Sequence, residues 1–412
     1  MGSGSWDIMR SIKDYEAIIG RDEVRSILRL AKRVYGAKVI HVNATAYGGG
    51  VAEILKNLIP LAQSVGLKAK WEVIKGDPEF FKITKAIHNA LQGSKEIRLT
   101  EEMKDHYIMV AKKNIEYLDL EGDVVIIHDP QPLPLVDYRG KNKWIWRCHI
   151  DLSDPNPEVW GFIRRYVIKF DAAVFTLERY IPDDIKGLIR TYVRYPAIDP
   201  LSDKNKPLPT TTIVKILERF GIDPERPIIG QVSRFDPWKD PLGVIDVYRK
   251  VKKRIKDVQL VMIGCFAHDD PEGYEWYRKT MDYANGDRDI HILTNMDGVS
   301  DLEVNAFQRA FTVALQLSRR EGFGLSVTEA LWKGVPVVAR RAGGIPLQVI
   351  NGVTGYLING IESASRKVTL LIRRPWLARL LGEKGREHVR RNFLITKLLK
   401  DYLRMHIDLV GI

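Results

Sequence analysis

Short apolar runs alternate along the chain with longer stretches in which apolar residues recur every three or four positions. In the first half the short runs lie at 37–42, 68–74, 123–128, 143–148 and 172–177. Their length and apolar content predict buried strands. Residues 21–35 place Val24, Ile27, Leu28 and Ala31 on one helical face, and the segment after Gly50 does the same with Val51, Ile54, Leu55, Leu58 and Ala62. The alternation restarts with predicted strands at 227–232, 257–264, 289–293, 313–317, 336–340 and 355–358. Strands that alternate with helices imply parallel sheets with helical crossovers, an α/β class of fold. Between the two series, Pro196, Pro200, Pro207 and Pro209 stand among polar residues and predict a linker. The expected division is therefore residues 1–204 and 205–383, with 384–409 mostly helical.

In open parallel sheets, ligands bind beyond the carboxyl ends of the strands. Several polar clusters fall there. The run Asn43 to Gly50 ends in Gly48, Gly49 and Gly50 and feeds a helix. It lacks the Lys-Ser/Thr of a P-loop, and Glu53 stands where a dinucleotide fingerprint needs its third glycine. Three successive glycines favour close approach of backbone to a phosphate. The second strand-end cluster is His128-Asp129-Pro130-Gln131-Pro132, and the third is Arg147-Cys148-His149-Ile150-Asp151. Arg234 and Lys239 follow the strand at 227–232, and as a fork and a point charge they suit a phosphate.

The richest stretch is Glu321-Gly322-Phe323-Gly324-Leu325-Ser326-Val327-Thr328-Glu329, which follows the strand at 313–317. Strand, glycine turn and helix make an anion site, because backbone N–H groups and the helix dipole face the ligand. Carboxylates do not bind phosphate, so Glu321 and Glu329 suit sugar hydroxyls instead. Ser326 and Glu329 also fit the spacing of a capping box. Asp287-Arg288-Asp289 is spaced like a metal-binding carboxylate pair, but it precedes a strand and so reads as chance.

Composition narrows the classes. The chain has 412 residues, 45% hydrophobic and 28% charged, which is enough for two globular domains. No apolar run reaches membrane-spanning length, so a soluble cytoplasmic protein is expected. Cys148 and Cys265 fit no metal or disulfide spacing, and no metal site is expected. The net charge of +12 is spread along the chain without a nucleic-acid motif, which favours an anionic small ligand over DNA or RNA.

The Glu321–Glu329 run, followed by Lys-Gly-Val-Pro-Val-Val-Ala and Gly-Gly-Ile-Pro, resembles the nucleotide-sugar signature of retaining glycosyltransferases of the GT-B architecture. That resemblance implies two Rossmann-like, doubly wound domains facing each other across a cleft, with a C-terminal helix (384–412) crossing back onto the first. Almost the whole chain, including His-Asp-Pro-Gln-Pro, Trp-Arg-Cys-His-Ile-Asp-Leu-Ser, Val-Ser-Arg-Phe-Asp-Pro-Trp-Lys and Ala-His-Asp-Asp-Pro-Glu-Gly, is similar to the trehalose glycosyltransferring synthases. Those enzymes join glucose from a nucleoside-diphosphate glucose to free glucose. Trehalose phosphorylases share several segments and use α-glucose 1-phosphate, the alternative reading. A basic nucleic-acid-binding protein is the distant one.

The resemblance implies that Glu321 and the amides of Gly322, Phe323, Gly324 and Leu325 hold the donor sugar and that Glu329 holds the ribose. It implies that Arg234, Lys239 and Gly48 to Gly50 hold the diphosphate and that residues near Asn295 meet the base. His149, with Asp129, Gln131, Arg147 and Asp151, would then shape the acceptor and reaction centre. His149, Arg234, Lys239 and Glu321 are the catalytic candidates. Where the family often has Lys-Gly, this chain has Lys239-Asp240. UDP-, ADP- or GDP-glucose would be the co-substrate, with no tightly bound cofactor. The family also implies a homodimer and stimulation by Mg2+, though no residue in the sequence requires either.

Overall fold

The computed structural model describes residues 10–47, 49–266 and 272–411. Gly48 and the whole Ala-His-Asp-Asp-Pro segment, 267–271, lie outside the described residues. The chain forms two compact units. One runs to Tyr195 and is rejoined by the chain from Ile395, and the other is Pro196–Leu394.

The first unit is built on a six-stranded parallel sheet: β1 (Lys38–Asn43), β2 (Lys68–Val73), β3 (Val124–His128), β4 (Lys143–Arg147), β5 (Ala172–Phe175) and β6 (Arg190–Val193). Their order is β2-β1-β3-β4-β5-β6. The second holds β7 (Ile228–Val232), β8 (Gln259–Gly264), β9 (Ile290–Thr294), β10 (Val313–Gln316), β11 (Val337–Arg340) and β12 (Gly355–Ile358). Their order is β12-β11-β10-β7-β8-β9. Every pairing is parallel. In each sheet the strand order reverses once, between β1 and β3 and between β7 and β10, and such switch points open a crevice at the carboxyl edge.

The inner strands are apolar because both faces are covered. β3 and β8 are buried at every position, and helices Pro241–Lys252 and Ile361–Arg373 supply core residues such as Val244, Tyr248, Val368 and Leu371 to the second unit. β6 was not evident in the sequence. It is an edge strand in which Arg190 is exposed and Thr191, Tyr192 and Val193 are half-buried, so it lacks the apolar run of its neighbours.

The C-terminal helix also differs from expectation. The predicted helix over 384–409 is two helices, Pro375–Asn392 and Ile395–Val410. The break comes at Phe393, whose carbonyl accepts from Ile198 N at 3.0 Å. Only the second helix belongs to the first unit. There Met405 enters the core with Val39, Val124 and Ile145, and Lys400 pairs with Glu23 at 2.8 Å. Among the described residues, no helix is long and apolar enough to cross a membrane.

Candidate active site

The second unit gathers its charges at the β7/β10 switch point. After β7 the chain makes a tight loop. Asp236 is buried and caps the turn Pro237–Lys239 by accepting from Lys239 N at 3.0 Å. Asp240 then takes a left-handed conformation, φ 51°, one that glycine adopts without strain and an L side chain rarely does. This accounts for a glycine in the related motif. Here the carboxylate gives the strained position a function of its own, binding Arg340 at 2.7 Å and Arg319 at 3.3 Å. Arg319 N also donates to Trp238 O at 2.7 Å. The loop after β7 and the turn after β10 are thus tied together.

Within that frame Lys239 Nζ meets Glu321 Oε2 at 2.7 Å, both side chains mostly buried. Ser318 Oγ donates to the same oxygen at 3.0 Å, and Gln316 Nε2 donates to Ser318 Oγ at 2.9 Å. Arg234 lies 3.8 Å from Asp236, half-exposed. Gly324 is left-handed (φ 87°), and a Cβ there would stand 3.3 Å from Glu321 Cγ. Helix Leu325–Trp332 begins at once. Val327 N donates to the Gly324 carbonyl at 3.0 Å, while the N–H groups of Leu325 and Ser326 lie ahead of any i−4 acceptor in the helix, at its positive end. Phe323 is buried against Phe393, and Gln348 Nε2 donates to Phe323 O at 2.6 Å, which fixes the turn from behind.

The spacing of Ser326 and Glu329 suggested a capping box, and none forms. The helix already starts at Leu325, with Gly324 at its cap, so Ser326 lies inside it. Glu329 is instead buried, 3.3 Å from Lys204 and accepting from Gln308 at 3.2 Å. Asn295 is exposed beyond β9 and accepts from Phe266 N at 2.9 Å. Asp289, at the amino end of β9, pairs with Arg226 and Lys252, which makes the Asp287–Asp289 pair a strand-edge tie.

In the first unit the β1/β3 switch point carries the other cluster. Asp129 is left-handed (φ 61°) and accepts from His149 N at 2.7 Å. Burial raises its carboxyl to about 6. Arg147 is fully buried. It donates to Arg194 O at 2.8 Å, and its Nε and Nη1 have no hydrogen-bond partner among the described residues. A buried cation with two unpaired N–H arms calls for oxygen acceptors. His149 is half-buried, and burial, then the Arg147 charge, hold it well below its ordinary value.

Asp129, Arg147 and His149 therefore form one group. Gln131 is half-buried in the following turn, and the Asp151 carboxylate is taken up by Ser153. Gly49 and Gly50 open helix Gly50–Ser64 and are exposed. Gly49 is extended, and a Cβ there would meet nothing within 4 Å, so the backbone itself does not require glycine. Two further histidines, His41 within β1 and His128 at the end of β3, are buried beside His149 and were not singled out one by one from the sequence. The only signal for His41 is a ring nitrogen in an otherwise apolar run.

Comparison with known proteins shows the family. Residues 41–182 match the family described as trehalose synthase, N-terminal domain, and residues 213–388 match glycosyl transferases group 1. The chain is 50% identical to the trehalose synthase of Pyrococcus horikoshii over 98% of its length and 97% of the relative's. The chain belongs to the trehalose synthase family. It is a glycosyltransferase of the hexosyltransferase class. The trehalose phosphorylase of Pleurotus pulmonarius is more distant, 30% identical over 86% of this chain and 54% of that one. Among solved structures, an E. coli trehalose-6-phosphate structure bound with UDP-2-fluoro glucose superposes with a TM-score of 0.69 at 14% identity, covering 91% of this chain and 99% of that one. At that identity the likeness bears on the fold alone, which is GT-B.

Proposed function

We propose that this chain makes α,α-trehalose by moving glucose from a nucleoside-diphosphate glucose to free D-glucose with retention at the anomeric carbon. The observation that carries the reading is the pairing of Lys239 with Glu321 beside the amino end of helix Leu325–Trp332. A cation beside a helix amino end suits a diphosphate, and a carboxylate at hydrogen-bonding range of that cation suits the hydroxyls of the sugar it carries. In the reaction the bond from the sugar's anomeric carbon to the phosphate oxygen breaks. A bond to an acceptor hydroxyl oxygen forms, and that hydroxyl's proton passes to the leaving phosphate. Negative charge grows on the diphosphate, where Arg234, Lys239 and the helix amides offset it. Glu321 releases Lys239 to hold the donor glucose, while Glu329 binds the ribose. Asp129, Gln131, Arg147, His149 and Asp151 bind and orient the acceptor.

The test is to supply glucose with UDP-, ADP- or GDP-glucose, and separately with α-glucose 1-phosphate. Trehalose together with a released nucleoside diphosphate is expected from at least one nucleotide donor. Trehalose from glucose 1-phosphate alone would overturn the reading in favour of a phosphorylase.

A further inference from the structure

Three imidazoles stand in file across the first sheet. His41 Nδ1 is 3.0 Å from His128 Nε2, and His128 Nδ1 is 3.0 Å from His149 Nε2. Successive rings stack with centroids 5.3 and 5.2 Å apart. The groups facing the file are the edge of Tyr402 against His41, the guanidinium of Arg147, and the Asp129 carboxylate on the His149 amide. The rings face one another in sequence. They do not converge on a point, and among the described residues no group of three such ligands could hold a metal ion.

Each contact needs one proton between its two nitrogens. Burial holds all three rings well below their ordinary value, at about 3 for His41, so each is neutral and carries a single ring N–H. If the His128 proton is on Nδ1, His149 Nε2 must accept it, and the His149 proton lies on Nδ1. The other choice puts both protons on Nε2. The same argument links His41 to His128. The file therefore has two states, with all protons on Nδ1 or all on Nε2. In the first state His149 offers a donor at Nδ1, and in the second an acceptor.

We propose that His41 and His128 are positioning residues that fix, through this file, whether His149 offers the reacting sugars a donor or an acceptor. The kinetic consequence rests on the function proposed above, whereas the tautomer itself does not.

The experiment is a long-range 1H–15N spectrum of the full chain labelled at its 9 histidines, recorded without substrate. His41, His128 and His149 are expected in one shared tautomer, with His149 a mixture of both in His128→Phe. Opposite tautomers at His128 and His149 in the unsubstituted chain would overturn the proposal even if no variant folds. Steady-state kinetics give the second readout. His41→Phe should lower kcat by about ten- to hundredfold with KM little changed, the range found for groups that orient a metal-bound histidine. His41→Asn, which returns an amide near the Nδ1 position, should recover most of it. If His41 only fills space, the ring-sized Phe will be near normal and Asn the worse of the two, and the proposal fails. An enzyme that turns over no nucleotide sugar would sink the functional reading and leave the tautomer result to stand by itself.

Discussion

At the scale of single residues, the site depends on charges that are paired with one another and that, in the proposed reaction, a substrate would re-pair. Lys239 and Glu321 satisfy each other at 2.7 Å. Substituting either by alanine removes its own contact and leaves the other in a mostly buried place. Lys239→Ala and Arg234→Ala should each lower kcat by about a hundredfold or more, the cost of removing one preorganised group from a developing anion. Glu321→Gln, which keeps the shape and loses the charge, should act mainly through the donor, and initial rates at varied donor concentration would show it. Near-normal rates in both cation variants would remove them from the reaction. Most of these residues were legible in the sequence because each follows an apolar run directly, and the end of a parallel strand is where ligands meet the sheet. His41 was not legible. It sits inside a strand, and only the fold puts its ring against His128.

At the scale of elements, the informative piece is the turn from β7 into helix Pro241–Lys252. Asp240 combines a left-handed backbone with a carboxylate held by Arg340 and Arg319. These two features separate by substitution. Asp240→Ala loses the ion pairs and keeps the strain, whereas Asp240→Gly loses the ion pairs and relieves it. Asp240→Ala should therefore be the less stable of the two by about 1 kcal/mol, the usual penalty for a left-handed non-glycine residue. Chemical denaturation of the two variants measures the difference, and equal midpoints would contradict it. The sequence placed eleven of the strands closely, the inner ones because both sheet faces are covered and their runs are apolar. It missed β6, whose Arg190 and half-buried partners read as loop. It joined two C-terminal helices into one because nothing in the local pattern marks the break at Phe393, which is set by the contact to Ile198. The supposed capping box failed for a related reason. A spacing of three fits either a cap or a helix interior, and Gly324 had already begun the helix.

At the scale of the whole molecule, pH links the first unit's buried cluster to stability. His41, His128 and His149 are held below their ordinary value, so the unfolded chain takes up protons that the folded chain refuses. For His41 that window runs from 6.5 down to about 3, and stability is lost as pH falls through it. Asp129 has the opposite sign. Its carboxyl is raised to about 6 from 3.8, so between those values a lower pH favours the folded state. Three depressed groups outweigh one raised group, and the unfolding midpoint should drop as pH falls below 6.5. His41→Phe should show a shallower drop, and an unchanged slope would contradict the burial of that ring as a neutral group. Incubation with glucose carrying 13C at its anomeric carbon and an unlabelled nucleoside-diphosphate glucose, followed by NMR of the disaccharide, reads both the acceptor and the stereochemistry. The expected product is α,α-trehalose labelled in one ring, with the other ring from the donor. A disaccharide without the label, or a β configuration at the transferred carbon, would contradict it.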